Sequence, residues 1–114
     1  MKKINLAITG CMGRMGQQII KSVGKDKNFK LITLTENKLV NKRINGIKIN
    51  LNTEKAFKKV DVIVDFTVPK CTFQVLKIAS KLKKRVVIGT TGFTQEEENL
   101  IKKFFQKAKS FWNS

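Results

Sequence analysis

The 114-residue sequence has no histidine, no tyrosine, one proline and two cysteines. Without histidine, the commonest general acid–base residue, the chain cannot build a Ser-His-Asp or Cys-His catalytic arrangement. Cys11 and Cys71 are too few for a disulfide framework, and their spacing predicts no metal site. No apolar run approaches the roughly 18 residues that a membrane helix needs. These absences predict one cytoplasmic domain with no metal and no membrane association.

Acidic residues are also scarce: 24 lysines and arginines stand against 8 aspartates and glutamates, which gives a net charge of +16. A charge of this size is typical of modules that bind nucleic acid or another polyanion. However, the lysines are spread along the whole chain, and only three of the basic residues are arginine, the usual residue for bidentate phosphate contacts. This pattern favours lysines on solvent-facing positions, with a basic, non-enzymatic module as the alternative.

Short apolar runs, which are typical of buried strands, alternate along the chain with segments whose apolar residues recur at helical spacing. Residues 36–45 are predicted to form a surface loop, residues 46–51 an edge strand and residues 53–59 a short helix capped by Thr53. Thr94 and Glu97 match the capping-box pattern, which predicts the start of a last helix. This alternation predicts a single α/β domain with a Rossmann-type, doubly wound, mainly parallel sheet. The core strands are expected at residues 4–9, 29–35, 60–66 and 85–89, with helices at residues 14–23 and 69–82.

Three glycines, Gly10, Gly13 and Gly16, lie between the first strand and the first helix. Glycines at such a turn allow close approach of a ligand, and the helix that follows directs its free N–H groups at an anion. Glu36 ends the next strand, 20 residues after Gly16, where a carboxylate can accept hydrogen bonds from ribose hydroxyls. The pattern predicts a dinucleotide site.

Two other segments follow core strands: Asp65-Phe66-Thr67, and the run of small residues from Gly89 to Gly92. Because the carboxyl ends of parallel strands share one sheet edge, both segments are expected beside the glycine turn. Small residues and hydroxyls there suit the flat nicotinamide ring. Cys11 lies inside the turn, where it is either a reactive thiol activated by the helix or, as we favour, a buried filler.

These motifs, above all Gly-Arg-Met-Gly at 13–16 and Gly-Thr-Thr-Gly-Phe at 89–93, make the chain resemble the N-terminal domain of the dihydrodipicolinate reductases. The resemblance implies NADH or NADPH as cofactor and, in the full-length enzyme, hydride transfer to 4-hydroxy-tetrahydrodipicolinate in lysine and diaminopimelate synthesis. It implies no catalytic residue within this chain. It assigns the pyrophosphate to Gly10, Cys11, Met12, Gly13, Arg14 and Met15, the adenosine ribose to Glu36, and the nicotinamide side to Phe66, Thr67, Gly89, Thr90 and Thr91.

The sequence departs from the family pattern in two ways. Asn37 stands where many relatives carry a basic residue for the 2′-phosphate of NADPH, so NADH is favoured unless Lys38 or Lys42 substitutes. The chain is also short. We expect a dinucleotide-binding domain at residues 1–110 and a tail at 111–114, without the family's substrate domain or tetramer contacts. Such a truncated chain would be inactive alone, monomeric or weakly associating, and prone to aggregate at an uncovered sheet edge.

Overall fold

The computed structural model describes residues 3–89, which form one six-stranded sheet with helices on both faces. The strand order is β3-β4-β2-β1-β5-β6, and all neighbouring strands are parallel except β3 and β4. The predicted Rossmann-type, mainly parallel sheet is confirmed. Its elements are β1 (Ile4–Thr9), α1 (Arg14–Gly24), β2 (Phe29–Glu36), β3 (Arg43–Ile44), β4 (Ile47–Leu51), α2 (Glu54–Phe57), β5 (Val62–Asp65), α3 (Pro69–Leu82) and β6 (Arg85–Ile88).

Two apolar clusters cover the two faces of the sheet. On one face, Ala7 and Ile63 of the central strands pack with Phe57 of α2 and Val75 of α3. On the other face, the cluster of α1 contains Ile8, Cys11, Ile20, Leu34 and Ile49. Because helices cover both faces, the central strands are apolar at consecutive positions rather than at alternate ones.

Strand β2 contains a β-bulge at Ile32. Leu6 of β1 pairs with Leu31, but the next residue, Ala7, pairs with Thr33. As a result Ile32 and Thr33 both face α2: Ile32 packs against the cluster of that face, and the Thr33 hydroxyl donates to the Ala56 carbonyl at 3.1 Å. The bulge therefore changes which residues of β2 face each helix layer.

The sequence predicted a loop at residues 36–45, but part of this segment forms a strand. Arg43 and Ile44 form β3, which pairs antiparallel with β4 through a turn at Asn45 and Gly46. Both turn residues have positive φ, 52° and 78°, as the favoured two-residue hairpin turns require. Strand β4 thus lies between β2 and β3, so it is not the edge strand of the sheet.

The predicted start of α2 and the predicted span of α3 are confirmed. The Thr53 hydroxyl accepts the Ala56 N–H at 3.2 Å at the start of α2, and Pro69 occupies the first turn of α3. Helix α3 ends on Lys83 in the left-handed conformation. The capping box at Thr94 and the helix predicted after it lie outside the described residues. Within residues 3–89, no helix is both long enough and apolar enough to cross a membrane.

Candidate functional site

The turn between β1 and α1 is packed so closely that two of its positions require glycine. Gly10 has a φ of +64°, and a Cβ there would lie 2.8 Å from the Thr67 methyl group. A Cβ on Gly16 would collide with the carbonyl oxygen of Gly10. Glycine at these two positions lets the start of α1 lie directly against the end of β1.

The first turn of α1 has no side-chain cap. Gly13 is the N-cap residue, so no side chain is available there to accept an N–H, and the first turn contains no acidic residue. The Gly13 N–H itself donates to the Gly10 carbonyl at 3.0 Å. Because the first N–H groups of a helix have no intrahelical acceptor, this end of α1 presents free donors and the positive end of the helix dipole. The arrangement suits an anion such as a phosphate.

Glu36, the last residue of β2, is held against this turn. Its Oε2 accepts the Met12 N–H at 2.8 Å, while the Met12 carbonyl accepts the Gln17 side-chain amide at 2.9 Å. The other carboxylate oxygen, Oε1, has no hydrogen-bond partner within residues 3–89. The carboxylate is therefore fixed in position and keeps one oxygen for hydroxyl donors of a ligand.

Cys11 lies within the turn and is fully buried. Burial raises the pKa of its thiol from 9.0 to about 11, and the negative charge of Glu36 adds to this rise. A thiol that keeps its proton is a poor nucleophile. These observations support the interpretation of Cys11 as a buried filler of the turn.

The opposite wall of the site is built around Asp65, the last residue of β5, which is fully buried. Its Oδ1 accepts the hydroxyl of Thr9 at 2.5 Å and that of Thr67 at 2.6 Å. The Thr67 N–H is 3.3 Å from the same oxygen. Asp65 thus fixes the segment after β5 against the end of β1 and places the Thr67 methyl group on Gly10.

Gly89 follows β6 and is tied to the same wall. Its N–H donates to the Asp65 carbonyl at 2.8 Å, and a Cβ at Gly89 would overlap the Phe66 ring. A side chain at position 89 would therefore displace the Phe66 ring. Thr90 and Thr91, which the sequence analysis also assigned to this side, lie outside the described residues.

A cavity of about 270 Å³ lies between these walls, at the carboxyl edge of the sheet. The structure brings together five of the predicted residues around it: Gly10, Gly13, Glu36, Phe66 and Thr67. Cys11, Met12, Arg14, Met15 and Gly89 are not among its lining residues.

Three further residues line this cavity: Asn37, which the family resemblance places beside the 2′-phosphate position, and Val68 and Cys71, which the sequence did not indicate for the site. Asn37 directly follows Glu36, so the prediction of Glu36 as a site residue also indicated the position of Asn37. Val68 and Cys71 lie at the start of α3, at the same sheet edge. Pro69 in the first turn was the sequence signal for this helix start.

Comparison with known proteins agrees with this geometry. A family model described as "Dihydrodipicolinate reductase, N-terminus" matches residues 4–114. The 4-hydroxy-tetrahydrodipicolinate reductase of Pelagibacter ubique is 73% identical over 104 residues, which are 91% of this chain and 40% of the relative. That of Bdellovibrio bacteriovorus is 35% identical over 114 residues, covering 100% of this chain and 45% of the relative.

A solved structure supports the same relationship. Dipicolinate-bound dihydrodipicolinate reductase from a Paenisporosarcina species superimposes with a TM-score of 0.73 at 26% identity, over 90% of this chain and 43% of that one. The chain spans less than half the length of these three relatives. The family match along the chain and the shared fold lead to one conclusion: the chain belongs to the dihydrodipicolinate reductase family and corresponds to its N-terminal region.

Proposed function

We propose that this chain is the NAD(P)H-binding part of a 4-hydroxy-tetrahydrodipicolinate reductase of lysine and diaminopimelate synthesis. The observation that carries the proposal is the Glu36 carboxylate, fixed by the Met12 N–H at 2.8 Å beside the uncapped N-terminus of α1. A carboxylate and free helix N–H groups at one sheet edge are complementary to the ribose hydroxyls and pyrophosphate of a dinucleotide.

The fit of a dinucleotide is supported by the shape of the turn. Side chains at Gly10 and Gly16 would force β1 and α1 apart, so glycine at both positions keeps the start of α1 against the end of β1, where Gly10 and Gly13 line the cavity. We assign Gly10, Cys11, Met12, Gly13, Arg14 and Met15 to the pyrophosphate. The free Oε1 of Glu36 is the acceptor we assign to the adenosine ribose.

The other end of the crevice is assigned to the nicotinamide. Phe66 and Thr67 border the cavity, and Gly89 is bonded to the Asp65 carbonyl next to them. By the family resemblance, Thr90 and Thr91 continue this surface. When bound, the reduced nicotinamide supplies a hydride. The residues assigned here bind and orient the cofactor, and we assign none of them a catalytic role.

The first experiment is titration of the 114-residue chain with NADH by calorimetry, before and after the substitution Glu36→Ala. Loss of a hydrogen bond to a charged acceptor is expected to weaken binding about tenfold or more. Glu54→Ala is a matched control, because Glu54 is a half-exposed carboxylate that pairs with Lys81 away from the site. It is expected to leave the affinity within about twofold.

Equal NADH affinity of Glu36→Ala and the unchanged chain would remove Glu36 from the site. A chain that binds no dinucleotide, but binds polyanions with a steep dependence on salt, would instead favour the basic module. The comparisons give that alternative no support. We also expect the 114-residue chain alone to show no turnover in a reductase assay.

A further inference from the structure

A second cavity lies beside the glycine turn, between α1 and the β3–β4 hairpin, with a volume of about 340 Å³. We call it the hairpin pocket. Its apolar lining residues are Met12, Ile20 and Ile44, and its basic ones are Lys21, Lys42 and Arg43. Two elements far apart in the sequence, α1 and β3, therefore bring three cations to one small cavity.

No carboxylate is among the residues lining the hairpin pocket. Within residues 3–89, neither Lys21 nor Lys42 pairs with an acidic side chain. Arg43 donates from Nη1 to the Gly46 carbonyl at 3.0 Å, which anchors its guanidinium to the hairpin turn. Three positive charges without a counter-charge in the lining make the pocket attractive to an anion.

The backbone that carries Lys42 is fixed. The Lys42 carbonyl accepts the Ile49 N–H at 3.3 Å, so Lys42 is held to β4 just before β3 begins. Lys21 is carried by α1, whose buried Ile20 packs in the cluster under the pocket. Both lysines are exposed, on backbone that is ordered by the sheet and the helix.

The hairpin pocket and the crevice share no lining residue, but Met12 links the two. The Met12 N–H donates to Glu36, the residue assigned to the ribose, and Met12 itself lines the hairpin pocket. An anion in this pocket therefore lies next to the ribose end of the crevice. The neighbouring residue of Glu36 is the uncharged Asn37, so no cation directly follows the carboxylate.

From these observations we infer that the hairpin pocket is a phosphate-monoester subsite, with Lys42 and Lys21 as its ligands. The inference rests on the proposed function for the position of the ribose. The monoester has two potential sources: the 2′-phosphate of NADPH bound in the crevice, or a free phosphate. In either case the lysine ammonium groups bind the dianion through charge-assisted hydrogen bonds.

The test compares NADPH and NADH on the 114-residue chain and on the double variant Lys21→Ala/Lys42→Ala. If the source is the cofactor, the ratio of NADPH to NADH affinity falls about tenfold in the variant, and Lys42→Arg restores most of it. Adenosine 2′,5′-bisphosphate then loses its advantage over 5′-AMP as a competitor of NADH. Thermal melting of each variant checks that the fold is retained.

Two further variants sharpen the result. Lys59→Ala is the matched control, because Lys59 lines a different cavity together with Asn5 and Lys30, and it is expected to leave the ratio unchanged. Lys38→Ala tests the rival lysine next to Asn37, which does not line the hairpin pocket. A fall of the ratio in Lys38→Ala, without one in the double variant, rules out the 2′-phosphate of NADPH as the source of the monoester.

Titration with inorganic phosphate separates the two sources. Phosphate binding that disappears in the double variant, with no change in the cofactor ratio, supports the subsite and assigns it to free phosphate. An unchanged cofactor ratio together with unchanged phosphate binding overturns the inference. Failure of the unchanged chain to bind NADH contradicts the proposed function instead, so the two failures are distinguishable.

Discussion

Two strand-to-helix connections meet at the carboxyl edge of the sheet, and they are built from different chemistry. The connection from β1 to α1 depends on glycines, and its N-cap residue Gly13 has no side chain to bond the helix N–H groups. The connection from β5 to α3 depends on a buried carboxylate, Asp65, which accepts the hydroxyls of Thr9 and Thr67.

The difference explains the division of roles between the two connections. The first leaves the N–H groups of the first turn of α1 without a side-chain cap, as an anion site needs, and its close packing depends on the absence of side chains at its glycines. The second uses its polar groups within the protein and so forms a rigid wall. The two touch where the Thr67 methyl group abuts Gly10. We therefore expect substitution of Gly16 in the first connection to weaken binding strongly, and substitution of Asp65 in the second to act mainly through stability.

The largest effect is expected from Gly16→Val in the first connection. The new side chain would overlap the Gly10 carbonyl, so α1 must move away from β1. We expect about 3 kcal/mol of lost stability from overpacking and about a hundredfold weaker NADH binding from the displaced turn. Urea denaturation and calorimetric titration measure the two effects.

Gly24→Ala is the matched control for that variant. Gly24 ends the same helix, and a Cβ there meets nothing within 4 Å. Its stability should change by no more than about 1 kcal/mol, in the stabilising direction. If Gly16→Val behaved like Gly24→Ala, the close packing of the first connection would be contradicted.

A smaller effect is expected from Asp65→Asn in the second connection. The amide replaces a charged acceptor of two hydroxyls by a neutral one, so we expect about 2 kcal/mol of lost stability. Asp61→Asn provides the control, because the Asp61 carboxylate accepts the Asn5 N–H at 2.8 Å in an exposed setting at the other end of the same strand. It should cost about 0.5 kcal/mol. If urea denaturation showed that both variants lose the same free energy of unfolding, the burial of Asp65 would not increase its contribution to stability.

The last effect is a pH dependence that arises from Cys11. Its pKa is raised to about 11 in the folded chain, whereas the unfolded thiol ionises near 9.0. Between these values the unfolded state has lost a proton that the folded state keeps, so the stability falls as the pH rises. We expect Cys11→Ala to remove this part of the decline between pH 9 and pH 11. A decline as steep in the variant as in the unchanged chain would assign it wholly to other groups.

Local patterns in the sequence were sufficient for much of the fold. The strands β1, β2, β5 and β6 were predicted from short apolar runs, and α1 and α3 from helical periodicity. The glycine turn and Glu36 were found because their spacing is a local signal. The two residues of β3 were missed, since Arg43 and Ile44 lie in a polar, lysine-rich stretch and pair only because the Asn45–Gly46 turn returns the chain.

The interactions that complete the site could not be predicted in the same way, because their partners are distant in sequence. Met12 and Glu36 are 24 residues apart, and Thr9 and Asp65 are 56 apart. The hairpin pocket likewise depends on how β3 lies against α1. Which atoms meet in such contacts is decided by the register of the sheet and the seating of each helix, neither of which a single run of residues specifies.

The bulge at Ile32 has a consequence for how this sequence can change over time. Side chains alternate between the faces of a strand, so one extra residue inverts the parity of every residue after it. With a regular pairing, Thr9 would stand opposite Leu34 instead of Thr35, and the carboxylate of Glu36 would no longer meet the Met12 N–H. Loss of the codon for Ile32 would remove the bulge and leave Thr33 opposite Ala7, so the register that brings Glu36 to the turn would be kept. Loss of a codon beyond the bulge would instead shift Glu36 along β1. The nucleotide site therefore tolerates the loss of one residue at the bulge but not of one residue after it.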